Sequence, residues 1–170
     1  IEQKGAGAAA VGMADLLGIE QLSERSLRGL LERAAEVKAS WKSGACVGAG
    51  ALAGKSITML FEKPSLRTRM SFEIGLTKLG AHVIYFDHSK QKIGQRESVK
   101  DYAKNLERWT DAIIARVFGH GVLEEMAEHA QVPVVNALSD LEHPCQALAD
   151  FQTLAEVFGG LGIECGVDGF

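Results

Sequence analysis

The sequence predicts an α/β protein: a doubly wound, three-layer α/β/α domain around a four-stranded parallel sheet. Three observations lead there. Short β-favouring runs recur along the chain, and strand and helix patterns alternate four times. No internal repeat or low-complexity tract competes with that alternation. With 170 residues and 46% apolar composition, one domain can bury roughly 70% of the surface its unfolded chain exposes. Alternation implies parallel pairing, because each crossover must carry the chain back before the next strand can join.

Taken in order, Ser23 is a helix cap, followed by a stripe at Leu27, Leu30, Leu31, Ala34 and Val37 that reads as one buried helical face. Residues 43–54, rich in Gly and Ala, form a loop, and the first strand runs from Ser56 to Phe61. The segment from Leu66 to Leu79 fits both periods. Its length without a turn signal favours a helix, although Gly75 inside it weakens the pattern. His82 to Phe86 is the second strand, and residues 87–97 read as a solvated charged loop. Val99, Tyr102, Ala103 and Leu106 mark the next helix; Asp111 to Arg116 is the third strand, Val122 to Ala130 a helix, and Val132 to Asn136 the fourth strand. Ala147, Leu148, Phe151, Leu154, Ala155 and Phe158 mark a last helix.

The opening stretch through Gly12 is small and loosely patterned, without a signal-peptide architecture, and Met13 could be a natural start. Residues 1–14 are therefore expected to be a poorly structured extension, residues 15–160 the domain, and residues 161–170 the beginning of something further, with a strand starting at Ile163.

Composition narrows the function. Eighteen basic against 22 acidic side chains leave a net charge of −4, the wrong balance for gripping nucleic acid through phosphates. No uncharged apolar run reaches the roughly 20 residues of a membrane span. Cys46, Cys145 and Cys165 are odd in number and widely spaced, so neither a disulfide framework nor a zinc knuckle is expected, and a reducing cytoplasm fits. The histidines have no ligand-like spacing, and neither metal nor cofactor is expected.

In open parallel sheets, ligands sit beyond the carboxyl ends of the strands. After the first strand comes Lys63-Pro64-Ser65-Leu66-Arg67-Thr68-Arg69, two hydroxyls and two guanidiniums at the entry of a helix. Free N–H groups, the positive end of the helix dipole and forked arginine contacts suit a phosphate there. The plainer alternative is a capped helix with a solvated basic start. Neither a Walker pattern nor a dinucleotide turn occurs at any strand end. His143 alone would be a loop residue capping a helix; Pro144 suits the first helical position and would fix His143 at that helix's mouth. Cys145 with His143 makes a poor nucleophile pair across a proline, so Cys145 reads as a small buried thiol.

Phe61-Glu62-Lys63-Pro64-Ser65-Leu66-Arg67-Thr68-Arg69 with Ser71-Phe72-Glu73 resembles the carbamoyl-phosphate motif of the aspartate/ornithine carbamoyltransferase family. Ala115-Arg116-Val117-Phe118 and His143-Pro144-Cys145-Gln146-Ala147-Leu148-Ala149-Asp150 resemble its two other first-domain motifs, in the same order. The resemblance covers about Asp15 to Gly160, the first of the family's two doubly wound domains. It implies that Ser65, Arg67 and Thr68 hold the phosphate, with Leu66 contributing its backbone N–H where relatives more often carry Thr. Arg116 and His143 would bind the carbamoyl carbonyl oxygen, and Gln146 would orient its amide. Arg67, Arg116 and His143 would be the catalytic groups. In the family's trimers the loop after the second strand reaches a neighbouring site, and Lys92 falls where that side chain would sit.

The same resemblance implies transfer of the carbamoyl group from carbamoyl phosphate to the side-chain amine of ornithine, giving citrulline and phosphate in arginine biosynthesis. The amine would bind a second domain, whose S-M-G and H-C-L-P motifs are not in this sequence, so the 170-residue chain alone is expected to be inactive. The runs around Lys63 and Cys145 look more like the ornithine than the aspartate enzymes. Transfer to aspartate, acetylornithine or putrescine stays open on these residues, as does a non-catalytic phosphate-binding or assembly module of the same fold.

Overall fold

The computed structural model describes residues 15–158. The N-terminal extension expected over residues 1–14, the domain's last two expected residues (159–160), the segment 161–170 and the strand expected from Ile163 lie outside the described residues. After a one-turn 3-10 helix (Ile19–Gln21) come α1 (Glu24–Ser43), β1 (Ser56–Phe61), α2 (Leu66–Lys78), β2 (His82–Asp87) and α3 (Val99–Leu106). Then follow β3 (Ala112–Arg116), α4 (His120–His129), β4 (Val134–Leu138) and α5 (Pro144–Phe158). The strands form one parallel sheet in the order β2-β1-β3-β4, so the expected four-stranded, doubly wound α/β class holds.

Local chemistry explains the helix starts. Ser23, Ser65 and Ser98 each turn a side-chain oxygen onto the backbone N–H three residues on, satisfying a donor the helix cannot use internally. The ambiguous segment is helical over Leu66–Lys78, and its Phe72 and Leu76, one turn apart, pack on the sheet.

Alternate β1 residues serve opposite layers. Ile57, Met59 and Phe61 join Ile114, Ala137 and the α2 side chains, while Leu60 joins Ile113, Ala115, Leu123 and Met126 beneath α3 and α4. Both faces being covered, β1 and β3 are nearly continuously apolar. The chain leaves β1 for β2 on one side and later returns to place β3 on the other. The crevice between the ends of β1 and β3 is thus the switch point where open sheets bind ligands.

Two expectations need correction. The fourth strand begins at Val134 rather than Val132, because Pro133 has no N–H; only its carbonyl serves the sheet, accepting from Ile113 N–H at 2.8 Å. The strand runs on through Leu138 instead of stopping at Asn136. The apolar stripes of α1 and α5 are also less buried than their spacing suggested. Leu31 is enclosed, but Leu30, Ala34, Phe151, Leu154 and Phe158 remain exposed; α1 packs chiefly on α5, which itself also meets β4, and the Lys38–Glu156 ion pair joins the two helices.

Beyond the predicted elements, Leu16 forms a one-residue parallel bridge with Val135. Its N–H donates to Val134 O and its carbonyl accepts from Asn136 N–H, so the start of the domain covers part of the outer edge of β4.

Candidate active site

The site grows from three strand ends. Where β1 closes, Ser65 caps α2, its Oγ accepting from Thr68 N–H at 3.3 Å. No acidic residue occupies the first turn of α2, so the positive end of its dipole is uncompensated. A cavity of about 480 Å³ opens there. Ser65, Arg67 and Thr68 line one wall, and Arg116 from the end of β3 faces them with His143 and Gln146 at the mouth of α5. Phe72, Leu138 and Cys145 close the rest.

Two polar atoms on the far wall are orphaned. Arg116 Nε and His143 Nδ1 are buried without a hydrogen-bond partner, an arrangement that normally costs free energy unless a ligand or water completes it. Burial pulls the Arg116 guanidinium below its ordinary value. Burial, and then the neighbouring Arg116 charge, lower His143 as well, against a smaller opposite pull from Asp150. At neutral pH the pair is one cation beside one neutral imidazole, both suited to receiving an electron-rich oxygen.

Local structure fixes each of these groups. Pro144 opens α5, and the His143 carbonyl accepts from Gln146 N–H at 3.0 Å and Ala147 N–H at 3.1 Å, so His143 stands at the helix mouth. Gln146 donates its side-chain N–H to Asp150 at 2.9 Å. Burial pushes the Cys145 thiol up to about 11, which leaves it protonated and no nucleophile. It donates toward Asn136 O at 3.6 Å instead. Among the described residues no cluster of metal-ligating side chains occurs.

Three residues singled out in the sequence lie outside the cavity wall. Leu66 is 76% exposed and takes no part in the cavity wall. Arg69 is turned away, paired with Glu73 at 3.0 Å and stacked over the Tyr85 ring at 3.7 Å, so the cradle has one guanidinium on this helix, not two. Lys92 also lies outside this cavity. Its Nζ sits 4.3 Å from the centre of the Phe118 ring, which Lys63 approaches at 4.6 Å.

Several participants had little signal. Glu62, part of the first motif, is buried and accepts from Ile93 N–H and Phe118 N–H, both at 2.8 Å. It thereby anchors the loop that carries Lys92 to the turn that follows Arg116. Leu138 adopts φ 150°, a backbone region costing a side-chain-bearing residue about 1–3 kcal/mol.

Comparison with known proteins agrees with this fold. Residues 14–156 match the family model described as aspartate/ornithine carbamoyltransferase, carbamoyl-P binding domain. An ornithine carbamoyltransferase of Vibrio sp. (strain 2693) is 53% identical over 144 residues, 85% of this chain and 46% of that protein. One from Thermus thermophilus is 50% identical over 151 residues, 88% and 48% of the two. The chain thus spans about half the length of these curated relatives. Among solved structures, ornithine carbamoyltransferase from Pyrococcus furiosus superposes with a TM-score of 0.84 at 39% identity, covering 89% of this chain and 48% of its own. The Thermus thermophilus enzyme gives 0.79 at 50% identity, covering 86% and 50%.

Proposed function

The chain belongs to the aspartate/ornithine carbamoyltransferase family by its carbamoyl-phosphate-binding domain, and from that premise we propose that it is the carbamoyl-phosphate half of an ornithine carbamoyltransferase. The observation that carries this reading is one cavity with two chemically different walls. A helix start with two hydroxyls and Arg67 faces Arg116 and His143, whose orphaned nitrogens point to a missing oxygen partner.

In this reading Ser65, Arg67, Thr68 and the Leu66 N–H take the phosphate, while Arg116 and His143 take the carbonyl oxygen and Gln146 orients the carbamoyl amide. The amine's lone pair attacks the carbamoyl carbon and a C–N bond forms. Negative charge gathers on the carbonyl oxygen, the C–O bond to phosphate breaks, and phosphate departs with the bonding pair and the amine's proton. Donors aimed at that oxygen act where charge develops; one such group is typically worth about 10²–10³ in rate. Arg67 compensates the leaving group before it leaves. This chain's own residues therefore need neither a covalent intermediate nor a metal to perform their part.

The amine we assign is ornithine, on the names of the relatives at 50–53% identity, with citrulline as product and arginine biosynthesis as the setting. It would be held by the second half of a longer protein. We further propose a homotrimer in which the Lys92 loop of each copy serves its neighbour's cavity; what supports it is that Lys92 does not line the cavity of its own chain. A reducing cytoplasm is the compartment we assign, on the unpaired thiols of Cys46 and Cys145.

Calorimetric titration of the 170-residue chain tests the core of this reading. Carbamoyl phosphate and inorganic phosphate should both bind, and Arg67→Ala should abolish binding while leaving the far-ultraviolet circular dichroism unchanged. Identical titrations for the two proteins would overturn it.

A further inference from the structure

We infer that Asn136, which does not line the cavity, is the positioning residue of this site: its buried amide holds both the bulge that sets Arg116 and the loop that delivers His143. The inference rests on the reading above for the identity of the ligand, but its geometry stands on the fold alone.

The register of β4 against β3 is the starting point. Ala115 pairs with Asn136, but Arg116 pairs with Leu138, so Ala137 is an extra residue in β4. A bulge of this kind re-aims the side chains beside it, and here the neighbour is Arg116. The bulge needs support, because Leu138 sits at φ 150°, a conformation a leucine keeps only under constraint from its surroundings. Two hydrogen bonds supply that constraint. Leu138 N–H donates to Asn136 Oδ1 at 2.8 Å, and Leu138 O accepts from Val117 N–H, next to Arg116, at 2.9 Å.

The other end of the same amide reaches two further segments. Asn136 Nδ2 donates to Leu17 O at 2.8 Å and to Glu142 O at 3.3 Å, and Glu142 immediately precedes His143. The strap around Leu17 is tied a second time to this loop, since Ile19 N–H donates to Glu142 Oε2 at 3.1 Å. Asn136 is fully buried, so its acceptor and both donors are committed within the fold. Only a side-chain amide of this length offers one acceptor and two donors here; a carboxylate has no donor and an aliphatic residue has neither.

One consequence separates positioning from mere stability. Asn136 bonds to β4, the strap and the His143 loop, and no bond runs from its side chain to Ser65, Arg67 or Thr68. Disturbing it should therefore impair the carbonyl wall and spare the phosphate wall. In Asn136→Ala, affinity for carbamoyl phosphate should fall about tenfold or more, as for loss of one hydrogen bond to a charged group, while affinity for inorganic phosphate changes less than about twofold. The His143 imidazole, followed by NMR without ligand, should rise back toward its ordinary value as its loop opens to water and loosens from Arg116.

Asn136→Ser is the second variant, should the alanine protein fail to fold. Its uncharged hydroxyl can accept from Leu138 N–H two residues on but is too short to reach Leu17 O and Glu142 O together, so the His143 shift should persist and the carbamoyl-phosphate loss should be smaller. A folded variant that keeps the wild-type ratio of the two affinities and the wild-type His143 titration would overturn the inference and leave the proposed function standing. If the wild-type chain itself fails to bind carbamoyl phosphate, the proposed function falls, and the ligand-free His143 titration alone decides whether Asn136 positions the loop.

Discussion

Glu62 Oε1, at the end of β1, accepts a 2.8 Å hydrogen bond from the backbone N–H of Ile93, 31 residues further along the chain. The second oxygen of the same buried carboxylate accepts from Phe118 N–H, so one side chain joins two loops that otherwise share no secondary structure. Glu62→Ala should strand both N–H groups and destabilise the fold by roughly 2–4 kcal/mol. Glu62→Gln, which retains one acceptor, should cost about half as much. Urea unfolding midpoints measure both, and faster amide exchange at Ile93 and Phe118 would localise the loss.

Ser65 caps a helix and borders the anion wall, and the two roles can be separated. Ser65→Ala should cost about 1 kcal/mol of stability and weaken phosphate binding. Ser65→Asp is as good a cap, so the melting temperature should hold while phosphate binding disappears through charge repulsion. Loss of the cap alone, with phosphate affinity unchanged in both variants, would remove Ser65 from the binding site.

His143 gives a pH signature whose sign follows from its lowered folded value. Its ordinary value is 6.5, and burial followed by the Arg116 charge holds the folded group lower. Between those two values the unfolded chain binds more protons, so stability rises with pH across that window. The contribution of neutral His143 is complete above 6.5 and is lost as pH falls toward the folded value. Urea midpoints compared at about pH 7 and about pH 5 should differ less in His143→Gln than in wild type. Phosphate in the cavity should raise the imidazole's value, so binding should take up protons, which calorimetry in buffers of different ionisation heat detects.

Cys145 should be chemically silent. With its thiol pushed up to about 11, almost no thiolate is present at neutral pH, and iodoacetamide should leave it unlabelled in the native state while modifying it in urea. Site-resolved mass spectrometry decides this, and rapid native labelling of Cys145 would contradict the burial described above.

What the sequence made legible were features written within one helical turn or one strand. The serine cap at 23 announces its helix because a cap acts over three residues. The four apolar runs announce a sheet but not its order. Other features depend on partners far away in the chain. Leu16 meets Val135 and Asn136 reaches Leu17 across 119 residues, and no local pattern encodes such pairings. Arg69 is the instructive case, for Glu73 stands four residues on, the spacing at which a helix pairs opposite charges. That signal was readable, and it explains why this guanidinium serves the helix surface instead of the anion. The bulge at Ala137 had none, since a buried Asn-Ala-Leu run looks like any strand end.

The sheet order has a kinetic consequence. β1 lies between β2 and β3, and each strand pair is separated in the chain by a crossover, so no part of the sheet can zip up from a tight hairpin. Refolding must close long loops before pairing rewards them, which places such a domain among the slower folders, in the range of about milliseconds to seconds. The two-walled cavity needs the ends of β1, β3 and β4 together, so ligand competence should be the last property a refolding chain recovers, after its helices have formed.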